Sequence, residues 1–342
     1  KKLKEKFQYD DGIYRERGDT SGYWSNLNIE ENKDLLKWAT EKGAEDAIRN
    51  LQPNLYDVIF SPKREAGLEL LDLRGDEVCI DYGCMWGALT VPIAKRCKSV
   101  ISVDQTLESL KFLQQRLANE KLDNVTIINH NLRTFPALSS ETRADVALVN
   151  GVLEWVPEVG SVELKKFYGK REKRNYDSSY NPKKVQIDFL KMIRTNLKDN
   201  GKLYLAIENR YDFKMFFGIK DPHSNLHLTT VVPKKIANII SNLVLGRPYV
   251  NWIYSKSELV QLVKDAGYSN VKLSIAFPDY RFPEFIQDYK KSIRSFGYKS
   301  DIRGANQKIS FKRVVARVIE KFLFYFLGLK YFAPSFIVTA RK

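Results

Sequence analysis

Residues 78–104 constrain this chain more than any other stretch. Val78-Cys-Ile-Asp-Tyr82 reads as an apolar strand running into a turn held by Gly83 and Gly87. A helix opens at Ala88, and a second apolar strand, Val100 to Val103, ends on Asp104. A strand, a glycine turn, a helix and a strand closed by an acidic residue about 20 positions on is how open α/β sheets hold a ribose. Backbone approaches the ligand where side chains are missing, and the carboxylate takes the ribose hydroxyls. The dinucleotide fingerprint Gly-x-Gly-x-x-Gly aligns with Gly83, Met85 and Ala88, so two of its three glycines are absent. The pattern Asp-x-Gly-x-Gly-x-Gly fits better: Asp81, Gly83 and Gly87 are in place, and only the middle glycine is replaced, by Met85.

The same rhythm continues. Thr106 precedes a helix whose Leu107, Leu110, Leu113 and Leu117 form one stripe. Further strands are expected at Val125–Ile128, Asp145–Val149, Leu203–Ile207, Val271–Ile275 and Ser335–Thr339, with a helix after Pro182 running through Leu197 and another opened by the capping box Ser255-Lys-Ser-Glu258 and stopping at Gly267. Alternating strands and helices predict an α/β, doubly wound, Rossmann-like sheet of seven mostly parallel strands, the last two forming an antiparallel hairpin. The organisation read from this is an N-terminal helical cover over 1–75, a core over 76–208, an insertion over 209–254, core again over 255–279, a second insertion over 280–334 and a last strand at 335–342. Both insertions fall where such a sheet exposes its ligand edge, as lid and acceptor-binding elements do.

A net charge of +15 favours an anionic partner: nucleic acid, anionic membrane or a phosphate-bearing substrate or lipid carrier. Nucleic acid is the lesser expectation, because no basic cluster is interleaved with stacking aromatics. Residues 165–184 form a polar, basic loop, and 308–329 place Phe311, Val315, Val318, Phe322 and Phe326 on one helical face among basic residues. That face suits packing on the domain, or peripheral contact with an anionic membrane. Cys79, Cys84 and Cys97 show no Cys-x-x-Cys spacing, and with three histidines no metal site is expected. Unpaired cysteines and the lack of an apolar run of about 18 residues predict a cytoplasmic protein, membrane-associated at most. The chain opens Lys-Lys-Leu-Lys without Met, so residues upstream are expected to be missing.

From about residue 61 onward the chain resembles class I S-adenosylmethionine (SAM)-dependent methyltransferases, and in particular a subgroup linked to surface-polysaccharide biosynthesis. The resemblance rests on the 81–87 loop, Asn150-Gly-Val-Leu-Glu-Trp155, Leu205-Ala-Ile-Glu-Asn-Arg-Tyr211, Asp221-Pro-His223, Phe277-Pro-Asp-Tyr-Arg-Phe-Pro283 and the terminal Ala333 to Arg341. It implies SAM as cofactor, with the backbone of Gly83, Cys84, Met85 and Gly87 beside its methionine part and Asp81 near its amino group. Asp104 would hold the ribose, Asn131 the adenine amine, and Asn150 and Gly151 the ammonium end. A Cβ at Met85 crowds a position that favours glycine, although a flexible Met can also lie against a ligand.

Methyl transfer is an in-line displacement, and a sugar hydroxyl, being a poor nucleophile, needs a base. The candidates follow strand five: Glu208, Asp221 and His223, with His223 the expected proton acceptor and a carboxylate to orient it. Tyr211, Tyr280 and Arg281 are the expected acceptor contacts. The expected function is O-methylation of a glycan or lipid-linked saccharide; the alternatives are an RNA or protein methyltransferase, or a non-catalytic SAM-binding subunit.

Overall fold

The computed structural model describes residues 7–16, 22–160, 162–163, 171, 176–177, 179–291, 315, 318–319, 322 and 327–342. Its strands, in chain order, are β1 (Phe7–Asp10), β2 (Ile13–Glu16), β3 (Trp24–Ser25), β4 (Val78–Tyr82), β5 (Ser99–Asp104), β6 (Val125–Asn129), β7 (Ala144–Asn150), β8 (Val162–Glu163), β9 (Leu197–Glu208), β10 (Ser269–Phe277), β11 (Phe285–Asp288) and β12 (Ser335–Arg341). Ten of them form one sheet in the order β1-β2-β6-β5-β4-β7-β9-β12-β10-β11. The run from β2 to β9 is parallel, whereas β12 pairs antiparallel with both β9 and β10.

The strand count corrects the expectation of seven. Three strands are added at the edges, and each has a local cause. Asp11 and Gly12 both take positive φ, 45° and 80°, which is the two-residue turn that matches the twist of a hairpin. That turn folds residues 7–16 into β1 and β2, with buried Phe7 stacked on Phe135 and buried Ile13 paired with Ile127 of β6. The third addition, β11, lies against β10. The stretch 1–75 is therefore not helical throughout: a hairpin precedes its helices.

Those helices are α1 (Ile29–Lys42), opened by a capping box of Asn28 and Glu31, α2 (Ala44–Leu51) and α3 (Tyr56–Phe60), followed by 3-10 turns over Pro62–Leu71. Their buried faces, Leu35, Ala39, Ile48 and Ile59, close over Trp86 of the glycine loop and Phe112. The helices of the core are α4 (Thr90–Ala94), α5 (Leu107–Asn119) and α6 (Pro182–Thr195). After β9 come α7 (Phe213–Phe216) and α8 (Lys234–Leu245), and then α9 (Lys256–Asp265), whose Leu259, Leu262 and Val263 pack into the core beside α6 and β10. Thr106 precedes α5, but its hydroxyl bonds the backbone of Trp24 instead of the helix end. No described helix is long and apolar enough to cross a membrane. Of the face read over 308–329, Phe311 and Phe326 lie outside the described residues, while Val315, Val318 and Phe322 are exposed. Most of the loop 165–184 is likewise outside them.

Candidate active site

The C-terminal ends of β4, β5 and β7 open on a cavity of about 350 Å³. This is the volume range of small-molecule sites, and it lies where a doubly wound sheet places its ligand. Asp81, Gly83, Cys84, Met85, Asp104, Asn131, Asn150 and Gly151 line it, together with Arg64, Trp155 and Glu158. The glycine loop is tied to the neighbouring strand: the N–H groups of Gly83 and Cys84 donate to the carbonyl of Val103 at 2.8 and 3.3 Å. Asp104 braces it from the same side, accepting from Met85 N at 2.9 Å and from Thr106 N at 2.8 Å. Two N–H partners leave a carboxylate with lone pairs for both ribose hydroxyls. Burial raises the Asp104 carboxyl to about 6, opposed by those backbone donors.

Met85 holds φ at 45°, the left-handed conformation that the missing glycine would adopt without strain. Its side chain is half-buried and packs into the cluster around Trp86 and Ile59, so the loop keeps its glycine-like course. Asp81 is buried and accepts a 2.7 Å hydrogen bond from Thr90 Oγ1; desolvation raises its carboxyl to about 6. Desolvation likewise pushes the Cys84 thiol well up, so that side chain is a wall and not a nucleophile. Asn131 spends Oδ1 on Arg133 N at 3.0 Å, stabilising the turn that follows β6.

Gly151 takes φ +69°, and a Cβ there would stand 2.3 Å from the hydroxyl of Tyr280. This contact sets the cavity wall against a buried polar cluster. Tyr280 Oη donates to Glu208 Oε1 at 3.3 Å. Glu208 Oε2 lies 3.7 Å from Nε2 of His223, and Glu154 Oε1 lies 3.9 Å from that same nitrogen. On the far side of the ring, Nδ1 donates to Asp221 Oδ1 at 2.9 Å. Asp221 is itself fixed: its second oxygen accepts from Ser224 Oγ at 2.7 Å and Thr229 Oγ1 at 3.0 Å. The indole of Trp155, which lines the cavity, packs 5.1 Å from the imidazole. The residues from two distant segments of the sequence, 150–155 and 208–223, thus stand one side chain apart.

The electrostatics of this cluster follow from burial and crowding. Burial opposes a charge on His223, but the hydrogen bond to Asp221 and the carboxylates of Glu154 and Glu208 together hold the imidazole well above its ordinary range. Burial would raise Asp221, yet its bonds to His223 hold it at about 2. Glu154 is pushed up to about 7, by burial foremost and then by Glu208. These carboxylates favour the protonated form of the ring. Among the described residues, Glu154 Oε2 and Glu208 Oε2 have no hydrogen-bond partner, and the side chain of Glu208 is the more exposed, 13% against 1%.

Tyr280 thus stands between Gly151 of the cavity wall and Glu208, but like Tyr211 and Arg281 it does not itself line the cavity. Tyr211 stacks on Tyr331 at 5.2 Å, and Arg281 pairs with Asp279 at 3.1 Å. Two residues without a role in the sequence reading belong here. Glu154 sits in the Leu-Glu-Trp that follows β7, and a buried acid flanked by Val152, Leu153 and Trp155 was its available signal. Arg64 comes from the 3-10 segment before β4, and nothing in its surroundings in the sequence distinguishes it from a surface arginine.

Comparison with known proteins agrees with this geometry. The family described as "Methyltransferase domain" matches residues 73–295, more than half of the chain. A probable cobalt-precorrin-6B C(15)-methyltransferase (decarboxylating) of Methanocaldococcus jannaschii is 38% identical over 65 residues, which are 19% of this chain and 36% of that protein. A probable ribosomal RNA small subunit methyltransferase A of Methanosphaera stadtmanae is 36% identical over 61 residues, 18% of this chain and 22% of that one. The chain thus spans little more than a third of these relatives at most. Among solved structures, phosphoethanolamine N-methyltransferase 2 of Haemonchus contortus in complex with SAM shares 11% identity with a TM-score of 0.46, covering 90% of this chain and 60% of that one. A SAM-dependent methyltransferase from Archaeoglobus fulgidus shares 13% with a TM-score of 0.41, covering 90% and 99%. Carried by the match over residues 73–295, which takes in the β4 strand, its glycine loop and Asp104, the assignment is that this chain belongs to the methyltransferase-domain family.

Proposed function

We propose that this enzyme methylates a hydroxyl group, and that the acceptor is a glycan or lipid-linked saccharide reaching the cluster of Glu154, Glu208 and His223. One observation carries the reading. A buried imidazole–carboxylate set stands directly behind the cavity wall, with an open carboxylate oxygen on its least buried member, Glu208. A neutral hydroxyl needs a group to take its proton as its oxygen becomes a nucleophile, and this set supplies one.

Bound SAM supplies the electrophilic methyl group. The chain's residues do the rest. Asp104 and the 83–87 backbone hold the ribose and the methionine part, and the hydroxyl of Tyr280 aligns Glu208 from the Gly151 side. Glu208 accepts the acceptor's O–H proton, His223 balances the charge that results, and Asp221 keeps the ring in place. The saccharide part of the reading is supported by the motif resemblance and by the +15 charge, which suits a phosphate-bearing carrier.

Incubating the purified chain with methyl-labelled SAM and a cell lysate, then separating lipid-linked glycan, RNA, protein and free small molecules, tests it. Label in the glycan fraction is expected. Label confined to RNA or protein would overturn the acceptor assignment, and no transfer to any fraction would favour a non-catalytic SAM-binding role.

A further inference from the structure

We propose that Glu154, Glu208 and His223 bind one divalent metal ion within their buried polar cluster. The inference deepens the reading above, rests on it for where the acceptor lies, and gives Glu208 Oε2 to the ion, which would then acidify a coordinated hydroxyl in place of the free carboxylate.

One donor atom from each of the three side chains falls within 4.8 Å of the others. The imidazole nitrogen stands 3.7 and 3.9 Å from the two carboxylates, gaps too long for hydrogen bonds. They are close to the roughly 3–4 Å that separates donors sharing an ion at about 2.0–2.2 Å. The ring is already oriented for this. Asp221 accepts the Nδ1 hydrogen bond and is held by Ser224 and Thr229, which leaves Nε2 facing the gap, where an ion would displace any proton that nitrogen carries. A carboxylate behind a histidine is the usual support of a metal-ligating imidazole.

A second observation points to a missing cation. Glu154 is 1% exposed, yet its Oε2 is buried in this cluster without a hydrogen-bond partner, and Glu208 Oε2 is likewise unpartnered. Among the described residues, the ion pairs of Glu154 and Glu208 are with His223 alone. Three carboxylates beside one imidazole leave an excess of buried negative charge, which is costly unless another cation joins it. Two carboxylate oxygens and one imidazole nitrogen suit Mn²⁺, Fe²⁺ or Zn²⁺ better than an all-oxygen Ca²⁺ cage does. Three protein donors also leave coordination positions open, and neighbouring hydroxyls of a saccharide fit such positions.

The test uses the full chain, stripped with a chelator and free of SAM and acceptor. Mn²⁺ is titrated and the loss of its free electron paramagnetic resonance signal is read, with Zn²⁺ as competitor. S-adenosylhomocysteine binding is measured on the same samples. One Mn²⁺ per chain is expected, displaced by Zn²⁺. Glu208→Gln and His223→Ala should abolish stoichiometric binding, and Asp221→Asn should weaken it about 10–100-fold by releasing the ring. S-adenosylhomocysteine binding should be retained in all three, which shows that they fold. A chain that binds S-adenosylhomocysteine but neither ion would overturn the metal site and leave the methyltransferase reading intact. So would ion binding that the variants do not change, or stabilisation by ethanolamine in place of metal, which would assign the cluster to an ammonium group.

Discussion

Asp104→Asn is the sharpest probe of the cofactor end, because it keeps the shape and removes one acceptor atom. In the wild-type chain both carboxylate oxygens are engaged by backbone, Met85 N at 2.9 Å and Thr106 N at 2.8 Å, with lone pairs to spare for the ribose. An amide has one acceptor oxygen. Its NH₂ must then face either a backbone N–H or a ribose hydroxyl, and one charge-assisted bond becomes a donor–donor contact. A hydrogen bond to a charged group contributes about 1.5–3 kcal/mol. The variant should therefore bind S-adenosylhomocysteine roughly 10- to 150-fold more weakly at pH 8. The pH dependence is a second, independent mark. Burial raises this carboxyl to about 6, so wild-type affinity should fall by up to about tenfold per unit as pH drops below 6, while the Asn variant stays flatter. Folding stability moves the opposite way: with its folded pKa raised, Asp104 contributes most below its unfolded value of about 3.9, and the contribution is lost as pH rises through 6. Calorimetry from pH 5 to 8, with thermal melts alongside, reads both. A folded variant whose affinity stays within twofold of wild type across that range would refute the role of Asp104.

Met85→Gly should relieve the left-handed strain at φ 45° and tighten S-adenosylhomocysteine binding severalfold; weaker binding by calorimetry would make the Met side chain part of the site. His223→Ala should lower turnover about 10²–10⁴-fold in the labelled-SAM assay with cofactor affinity nearly unchanged, and near-wild-type turnover would remove the cluster from the chemistry. Gly151→Ala should push its Cβ against the Tyr280 hydroxyl at a backbone angle that disfavours any side chain, so that both melting temperature and turnover fall. Tyr280→Phe, which loses only the bond to Glu208, should cost turnover about tenfold and cofactor affinity little, as steady-state kinetics would report.

The sequence made the centre of the fold readable and left its edges obscure, for physical reasons. Strands buried on both faces, such as Ile80 to Tyr82 and Val146 to Val149, are near-continuous apolar runs and declare themselves. The edge hairpin is half-exposed and weakly patterned, and its one strong signal, the Asp11-Gly12 pair, is two residues long. In the site, the glycine turn and Asp104 follow from backbone demands that repeat wherever this unit occurs. The position of Glu154 depends on β7 and β9 lying side by side, with residues 208–223 folded back over the cavity wall, and no local pattern encodes that. Tyr211 and Arg281 had the right chemistry for acceptor contacts, but Tyr211 is stacked on Tyr331 from a distant segment and Arg281 is paired with Asp279 two positions before it.

The place of β12 has a consequence for the order in which the molecule can be assembled. It follows every other strand of the sheet in sequence, yet it lies between β9 and β10. Until it arrives, the open edge of β9 and the facing edge of β10 have no strand partner. Docking it must join segments some 60 to 140 residues apart, because Ile337 pairs with Ser274 on one side and Ala206 on the other. Such long-range closure is slow compared with the local pairing of β4, β5 and β6. A nascent or refolding chain is expected to hold its adenosine half formed early, while its acceptor half waits on one strand. Exposed strand edges make that interval the time of greatest risk of aggregation.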